Sequence, residues 1–326
     1  MKKVFVYVYY RNLGNDLKLL DKVDYINLSF GKIEKENGLF YLDISNVENQ
    51  IMFLKQKLNN PKIVLSIGGW GCDGFSEAVE NDEIRKEFIE SIIDKVKQYD
   101  LSGIDLDWEY PTVSNNLIKG RPEDKHNYTI LLKELKEALR KVNNDLILTA
   151  AVPCTTHYYE VSEINKYLDY LHIMSYDLDY GSDVTKHLSP LYQSEHTLSS
   201  ANEGARRWIS EGFDSQKITI GCAFYVRYCD VENDLNHGLG CKNKTFKTTY
   251  YKEYKKLNII EYYDEAACAY YGFNNNTFYS FDHPQAIKEK VRYVKDNNLA
   301  GVMCWEYSQD DEEHTLLNAM LTVKEN

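Results

Sequence analysis

Residues 102–111 read SGIDLDWEYP, and this stretch decides the fold more than any other part of the chain. Successive side chains of a β-strand point to opposite faces, so the carboxylates of Asp105, Asp107 and Glu109 share one face. The intervening Ile, Leu and Trp side chains share the other face. An apolar face against helices and an acidic face turned inward are typical of a strand in a closed barrel. The stretch therefore predicts a buried barrel strand.

Short apolar runs rich in Val, Ile and Tyr recur along the chain, with amphipathic segments between them. The eight candidate strands are residues 4–9, 25–30, 62–67, 103–109, 146–152, 170–176, 217–224 and 301–307. The candidate helices are residues 47–58, 82–98, 124–142, 198–211, 284–296 and 312–323. This alternation predicts an α/β fold of the (β/α)8 TIM barrel class. A doubly wound open sheet would need a Gly-rich phosphate turn after the first strand, and YRNLG at residues 10–14 is not one.

One connection is too long for a simple loop. Almost sixty polar, Tyr-rich residues separate the seventh strand from the next helix, and structureless loops of that length are uncommon in compact domains. We therefore predict a barrel formed by residues 1–224 and 283–326. A small α+β insertion is expected at residues 225–282, between strands 7 and 8.

Composition excludes several classes of partner. The 326 residues include 38 Lys or Arg and 50 Asp or Glu, a formal charge of −12, whereas non-specific nucleic acid binding needs a basic face. There is no 18-residue apolar run to span a membrane. The first residues read as a buried strand and not as a signal peptide. We expect no nucleic acid or membrane partner. The protein is either cytoplasmic or secreted with its leader already removed.

Seven cysteines are present without zinc-type spacing. Three lie in apolar, strand-like runs and are expected to be buried thiols: Cys154, Cys222 and Cys304. Three others cluster in a polar region where a disulfide is conceivable: Cys229, Cys241 and Cys268. We predict no metal, no cofactor and no obligatory disulfide.

The three carboxylates on one strand face point to acid–base chemistry. Carboxylates crowded inside a barrel cannot all ionise, so at least one proton is shared. A metal site or a solvated edge strand is the alternative, but a solvated edge would lack the apolar back face. A proton donor held by neighbouring carboxylates suits the cleavage of a glycosidic bond. Glu109 lies nearest the carboxyl end of the strand, where barrel active sites open, and is the expected acid.

The same stretch resembles the motif of glycoside hydrolase family 18 chitinases, Asp-Gly-x-Asp-x-Asp-x-Glu. The match runs from Gly103 to Glu109, and Ser102 replaces the usual first Asp. Further segments resemble family motifs at other strand ends: SIGGW at 66–70, MSYD at 174–177, FYVR at 224–227, YSFDHP at 279–284 and GVMCWE at 301–306. The resemblance covers nearly the whole chain.

The resemblance implies a retaining hydrolysis of β-1,4-linked N-acetylglucosamine in which the substrate's own 2-acetamido group is the nucleophile. The residues implied as catalytic are Glu109, Asp107, Asp105, Tyr176 and Asp177. The residues implied in substrate binding are Tyr10, Phe30, Gly68, Gly69, Trp70, Met174, Tyr225, Arg227 and Trp305. Within the first set, Glu109 is the general acid/base and Asp107 orients the acetamido N–H.

Other functions remain open on the sequence alone. An endo-β-N-acetylglucosaminidase or a hydrolase of cell-wall or spore-cortex linkages shares the barrel and the acidic motif. A sugar-binding lectin on the same barrel has usually lost the catalytic Glu, and Glu109 is present. We expect a monomer that binds a glycan containing N-acetylglucosamine.

Overall fold

The computed structural model describes residues 1–325, in which fourteen strands and nine α-helices alternate. The strands are β1 (Lys3–Tyr9), β2 (Tyr25–Glu36), β3 (Leu39–Asp43), β4 (Ile63–Gly68), β5 (Gly103–Asp107), β6 (Ile147–Val152), β7 (Tyr170–Ile173), β8 (Ile218–Ala223), β9 (Tyr225–Asp230), β10 (Lys247–Tyr250), β11 (Ile260–Asp264), β12 (Ala269–Asn274), β13 (Thr277–Phe281) and β14 (Gly301–Trp305). The helices are α1 (Glu48–Lys57), α2 (Phe75–Ala78), α3 (Asp82–Tyr99), α4 (Asp124–Val142), α5 (Val161–Ile164), α6 (Ala201–Ser210), α7 (Tyr251–Tyr254), α8 (Pro284–Asp296) and α9 (Thr315–Leu321).

Eight of these strands form a closed parallel barrel in the order β1-β2-β4-β5-β6-β7-β8-β14, and β14 pairs with β1. Closure confirms the predicted (β/α)8 TIM barrel and excludes an open doubly wound sheet. The outward faces of the strands pack against the helices in the main hydrophobic core. Trp108, on the apolar side of the acidic stretch, stacks on Phe75 with ring centroids 5.0 Å apart.

Helix ends follow local sequence signals. The Asn81 side chain accepts a hydrogen bond from the Ile84 N–H at the start of α3, and Ser200 does the same for Glu203 in α6. Pro284 occupies the first turn of α8, the position expected for a residue without an N–H. These caps satisfy backbone donors that have no partner inside the helix.

Two strand bounds differ from the predicted ones in a way that matters for function. β5 ends at Asp107 and β7 at Ile173, so Glu109 and Tyr176 lie beyond the strands that were predicted to contain them. Regular pairing with β4 stops at Asp107, opposite Gly68. The sequence also missed an antiparallel hairpin, in which β2 continues to Glu36 and pairs with β3.

Residues 225–281 contain a second, antiparallel sheet in the order β10-β9-β13-β12-β11. Within the same stretch, Tyr251 and Tyr254 of α7 and Phe281 of β13 join the main core, while Tyr271 belongs to a smaller cluster around Cys229. Tyr251, Tyr254 and Tyr271 are therefore buried, whereas Tyr250 and Tyr263 are exposed.

A buried ion pair joins the end of β13 to the barrel. Lys290 of α8 binds both carboxylate oxygens of Asp282, at 2.8 and 2.7 Å, and both side chains are almost fully buried. Lys290 also donates to the Ser189 hydroxyl at 2.6 Å, and Asp282 accepts from the Ala223 N–H at 2.8 Å. A charge pair without access to water is stable only because each group has these additional partners.

Candidate active site

Asp105 lies at the centre of the barrel, fully buried and held by three hydroxyl groups. Tyr7 and Ser66 donate to its Oδ2 at 2.8 and 2.7 Å, and Thr149 donates to Oδ1 at 2.6 Å. Burial raises the pKa of Asp105, and the hydrogen bonds from Thr149, Ser66 and Tyr7 oppose that rise. The three donors come from β4, β6 and β1, so the closed barrel fixes this carboxyl group in one position.

Asp107 is the last residue of β5 and is 4% exposed. Burial raises its pKa well above the usual range, and the nearby carboxyl groups of Glu109 and Asp105 raise it further. Within residues 1–325, its buried Oδ1 has no hydrogen-bond partner. Because a buried oxygen without a partner costs free energy, this atom is a ready acceptor for a donor on a bound ligand.

Glu109 lies two residues beyond β5, partly open to solvent at the carboxyl end of the barrel. Burial raises its pKa to about 7, the charge of Asp177 adds to the rise, and a hydrogen bond from Tyr110 opposes it. A carboxyl group with this pKa still carries its proton in weakly acidic solution. It therefore has the property required of a general acid.

Four predicted residues meet in one cluster inside the barrel mouth. Tyr176 and Tyr225 are buried there, with Met174 and Trp305 packed against the same cluster. Burial raises the pKa of Tyr176 strongly, as do the nearby Asp107, Glu109 and Asp177. The Tyr176 hydroxyl therefore stays protonated and can donate a hydrogen bond.

The Trp305 indole is part of an aromatic floor. It stacks on Phe30 with ring centroids 5.5 Å apart and an interplanar angle of 20°. The ring centroids of Tyr7 and Tyr9 lie 5.9 and 6.3 Å from the ring centroid of Trp305. A partly exposed indole in such a frame presents a flat apolar surface of the kind that stacks against a sugar ring.

Gly68 and Gly69 hold the end of β4 close to this floor. Both have positive φ, 114° and 86°, which disfavours any residue with a Cβ. A Cβ on Gly68 would collide with the Asp107 carbonyl oxygen, and one on Gly69 would lie 2.6 Å from the Phe30 ring. The Gly69 N–H donates to that same Asp107 oxygen at 2.8 Å. The two glycines thus let β4 approach Asp107 and Phe30.

Asp177 and Arg227 form a polar group beside Glu109. The Asp177 side chain is 47% exposed, and its Oδ1 accepts from the Tyr225 hydroxyl at 2.8 Å and from Arg227 Nη2 at 2.5 Å. The other arm of the guanidinium, Nη1, donates to buried Asp179 at 2.6 Å. Arg227 therefore binds two carboxylates at once.

Tyr10 and Trp70 lie further out. The Tyr10 ring packs edge-on against Tyr9, and its hydroxyl accepts from Arg11 Nε at 2.7 Å. Trp70 is 67% exposed. The structure places both residues on loops at the barrel's open end without bringing them into the central cluster.

Sequence reasoning assigned no role to five residues that shape the site. They are Tyr7, Ser66, Thr149, Asp179 and Glu306. Glu306 is buried directly after Trp305 and accepts hydrogen bonds from Asn12 and from the Tyr9 N–H. Tyr7, Ser66 and Thr149 each occupy a barrel strand as a polar group among apolar neighbours. A polar side chain within an apolar strand was the sequence signal that could have indicated these three residues.

The described part of the chain contains neither a candidate metal site nor a candidate membrane-spanning helix. Across residues 1–325, no three His, Cys, Asp or Glu side chains are grouped so that they could hold a metal ion. No helix in the same range has the length and apolar character to cross a bilayer. All seven cysteines, which lie within these residues, are free thiols.

Comparison with known proteins identifies the family. The family model described as "Glycosyl hydrolases family 18" matches residues 3–310. The chain belongs to this family. It is 29% identical to an endochitinase of Manduca sexta, in an alignment that covers 77% of this chain. It is also 29% identical to chitotriosidase-1 of Mus musculus, in an alignment that covers 86% of this chain. The chain spans about half of the Manduca sexta protein and about two thirds of the mouse protein, 50% and 67%.

A solved structure of a family 18 N-acetylglucosaminidase from Paenibacillus barengoltzii is also similar. It superposes with a TM-score of 0.90 at 31% identity, covering 99% of this chain and all of that one.

The family relation also places Ser102, which stands where the family motif usually begins with Asp. Its backbone N–H donates to the Ile63 carbonyl at 2.7 Å, and its carbonyl accepts from Ile147. Asp105 takes its three donors from other strands. The hydrogen bonds around Asp105 are therefore complete with Ser at position 102.

Proposed function

We propose that this protein hydrolyses β-1,4 linkages between N-acetylglucosamine units of chitin or chitooligosaccharides, with retention of configuration. One observation carries the proposal: Glu109, whose pKa is raised to about 7, adjoins Asp107, whose buried Oδ1 lacks a partner in residues 1–325. The first group supplies a proton to a leaving oxygen. The second accepts a hydrogen bond from an amide N–H, which an N-acetyl sugar provides.

The proposed first step needs no protein nucleophile. The acetamido oxygen of the substrate forms a bond to the anomeric carbon while the glycosidic C–O bond breaks, and Glu109 gives its proton to the leaving oxygen. Asp107 accepts the acetamido N–H and stabilises the positive charge that develops on this group. The Tyr176 hydroxyl, held protonated by its surroundings, donates to the acetamido oxygen.

In the second step, water attacks the anomeric carbon while the bond from that carbon to the acetamido oxygen breaks, and the water transfers a proton to Glu109, which restores the acid. Two displacements at one carbon return the original configuration. Trp305, stacked on Phe30, supports the sugar ring from below. The substrate-assisted route is one of the exceptions to the usual two-carboxylate mechanism of glycosidases.

The residues from 225 to 282 are proposed as an inserted unit that forms one wall of the binding groove. Its first strand, β9, carries Tyr225 and Arg227, the two residues that bind Asp177. The unit thus contributes directly to the surroundings of Glu109.

A second candidate is favoured by the structural relative from Paenibacillus barengoltzii, which is named an N-acetylglucosaminidase and matches along its whole length. Such an enzyme and a chitinase use the same chemistry and differ in where they cut. Product analysis separates them. Release of single N-acetylglucosamine units from chitotetraose favours the second candidate, whereas chitobiose as the main product favours a chitinase.

The decisive experiment compares wild type with Glu109→Gln on fluorogenic chitobiose and chitotriose substrates. We expect the variant to lower kcat by at least ~10³-fold, because it has the shape of the acid and no proton to give. The matched control is Glu90→Gln, the same change on the exposed face of α3. A residual rate above a tenth of wild type refutes the role of Glu109.

Four further substrates test the nucleophile and the substrate class. A chitobioside analogue without the N-acetyl groups should be inert, and efficient turnover of a plain β-glucoside contradicts the mechanism. Muropeptides and high-mannose glycopeptides assayed in parallel distinguish cell-wall and N-glycan hydrolases. Binding without turnover of any of these glycans identifies a lectin.

A further inference from the structure

The guanidinium of Arg227 lies between two carboxylates of very different exposure. Nη2 binds Asp177, whose side chain is 47% exposed, while Nη1 binds Asp179, whose side chain is fully buried. One cation therefore faces two acidic groups, and the trio retains a net negative charge when both are ionised. Asp177 alone would be enough to neutralise Arg227.

Asp179 is the costly member of this trio. Burial raises its pKa to about 6, and Arg227 only partly opposes that rise. Its Oδ2 is buried without a hydrogen-bond partner in residues 1–325. A buried carboxylate with an unsatisfied oxygen destabilises the fold unless its position serves another purpose. Stability alone does not explain an acidic residue here.

Arg227 needs a fixed anchor if it is to hold Asp177. Arginine side chains lose considerable rotamer freedom when ordered, and the salt bridge to the half-exposed Asp177 is screened by solvent. Asp179 provides the anchor because it is immobile inside the protein. Asp177 itself has φ of 57°, and its carboxylate is held by hydrogen bonds from Tyr225 and Arg227.

Asp177 in turn acts on the proposed acid, since its charge helps to raise the pKa of Glu109. Several titratable groups face the trio or Glu109 from neighbouring elements. They are Asp107 and Tyr110 beside Glu109, Tyr176 before Asp177, and Tyr225 and Cys229 on β9. Within the described residues, none of these groups is a second cation that would balance the net negative charge of the trio.

We propose that Asp179 is a positioning residue for the reaction: it fixes Arg227 against Asp177 and balances the guanidinium charge, so that Asp177 presents negative charge to Glu109. This inference rests on the proposed function, since it assigns Glu109 as the acid. Without the Asp179 charge, Arg227 would cancel the effect of Asp177, and Glu109 would lose its proton at lower pH.

The test is Asp179→Asn, which keeps the hydrogen-bond acceptor for Nη1 and removes the charge. Glu134→Gln is the matched control, because Arg85 also bridges two carboxylates, Asp82 and Glu134, far from the site. Two readouts are taken. One is the pH profile of kcat/KM on fluorogenic chitobiose. The other is a ¹³C NMR titration of carboxyl-labelled Glu, with the Glu109 signal assigned from Glu109→Gln.

We expect Asp179→Asn to lower the midpoint of the basic limb and of the Glu109 titration by about half a pH unit or more, since a nearby charge moves a carboxyl pKa by this order. The control should leave both midpoints in place. Unchanged midpoints in folded Asp179→Asn overturn the proposal. The NMR titration needs no turnover, so it judges Asp179 even if the protein fails to hydrolyse the substrate, which would refute the proposed function instead.

A double variant covers the case in which Asp179→Asn does not fold. Asp179→Asn with Arg227→Gln removes both the anchor and the cation, so no unbalanced buried guanidinium remains. We expect its Glu109 midpoint to return to within about 0.3 pH unit of wild type, because the two charge changes oppose each other. A midpoint below that range contradicts the charge-balance role.

Discussion

Hydrolysis by this protein should fall steeply above pH 7, because Glu109, the proposed acid, must carry a proton to act. With a pKa of about 7 against an ordinary 4.5, Glu109 is about nine-tenths protonated at pH 6 and about one-tenth protonated at pH 8. We therefore expect kcat/KM to be about tenfold lower at pH 8 than at pH 6. An ordinary Glu would be only about 3% protonated at pH 6.

The assay is the pH dependence of kcat/KM on fluorogenic chitobiose between pH 4 and 9, with fluorescence read after quenching at a fixed pH. The basic limb reports the acid of the free enzyme. A basic midpoint below about pH 5.5, closer to an ordinary Glu than to the value expected here, refutes the argument that burial and Asp177 keep Glu109 protonated.

Stability gives a second readout of the same proton. The folded protein binds the Glu109 proton more tightly than the unfolded chain does. The resulting stabilisation is fully present below about pH 4.5 and is lost as the pH rises through about 7. Its size is at most about 3.4 kcal/mol. Urea unfolding should show the free energy of unfolding of wild type falling relative to Glu109→Gln over this range. Glu90→Gln is the control, and a constant difference contradicts the raised pKa.

Two substitutions away from the acid test the architecture. Gly69→Ala places a Cβ 2.6 Å from the Phe30 ring at a positive φ, so we expect a displaced Phe30–Trp305 stack and a KM raised about fivefold; an unchanged KM contradicts the floor. Lys290→Met leaves Asp282 buried without its cation and should lower the free energy of unfolding by about 3–5 kcal/mol. Adding Asp282→Asn should recover more than half of that loss in the same urea titration, and a single-variant cost below about 1 kcal/mol refutes the account.

Local periodicity was enough to predict the barrel strand and the direction of its side chains. The two-residue alternation of an extended chain places the side chains of Asp105 and Trp108 on opposite faces. The same property predicted the alternation of strands and helices, because burying one face imposes a regular pattern on each element. Strand ends were less certain, since pairing beyond Asp107 depends on where the neighbouring strands diverge.

The hydrogen bonds to the acidic stretch were beyond local reasoning. Asp105 is bound by Ser66, Thr149 and Tyr7, which are 39, 44 and 98 residues away along the chain. Their meeting depends on the register of strands that are separated by long connections along the chain. A single residue's shift in that register would turn each hydroxyl to the other face of the sheet.

The sequence by itself determined the fold class, the acidic face of the stretch from Asp105 to Glu109 and the family resemblance, because these depend on residue type and short spacings. Only the tertiary structure decided how each carboxylate behaves. Closure of the barrel buries Asp107 and leaves its Oδ1 without a partner in residues 1–325. The second sheet brings Arg227 between Asp177 and Asp179. Burial and charge are properties of the assembled surroundings, so the state of Glu109 depends on contacts that no short stretch of sequence contains.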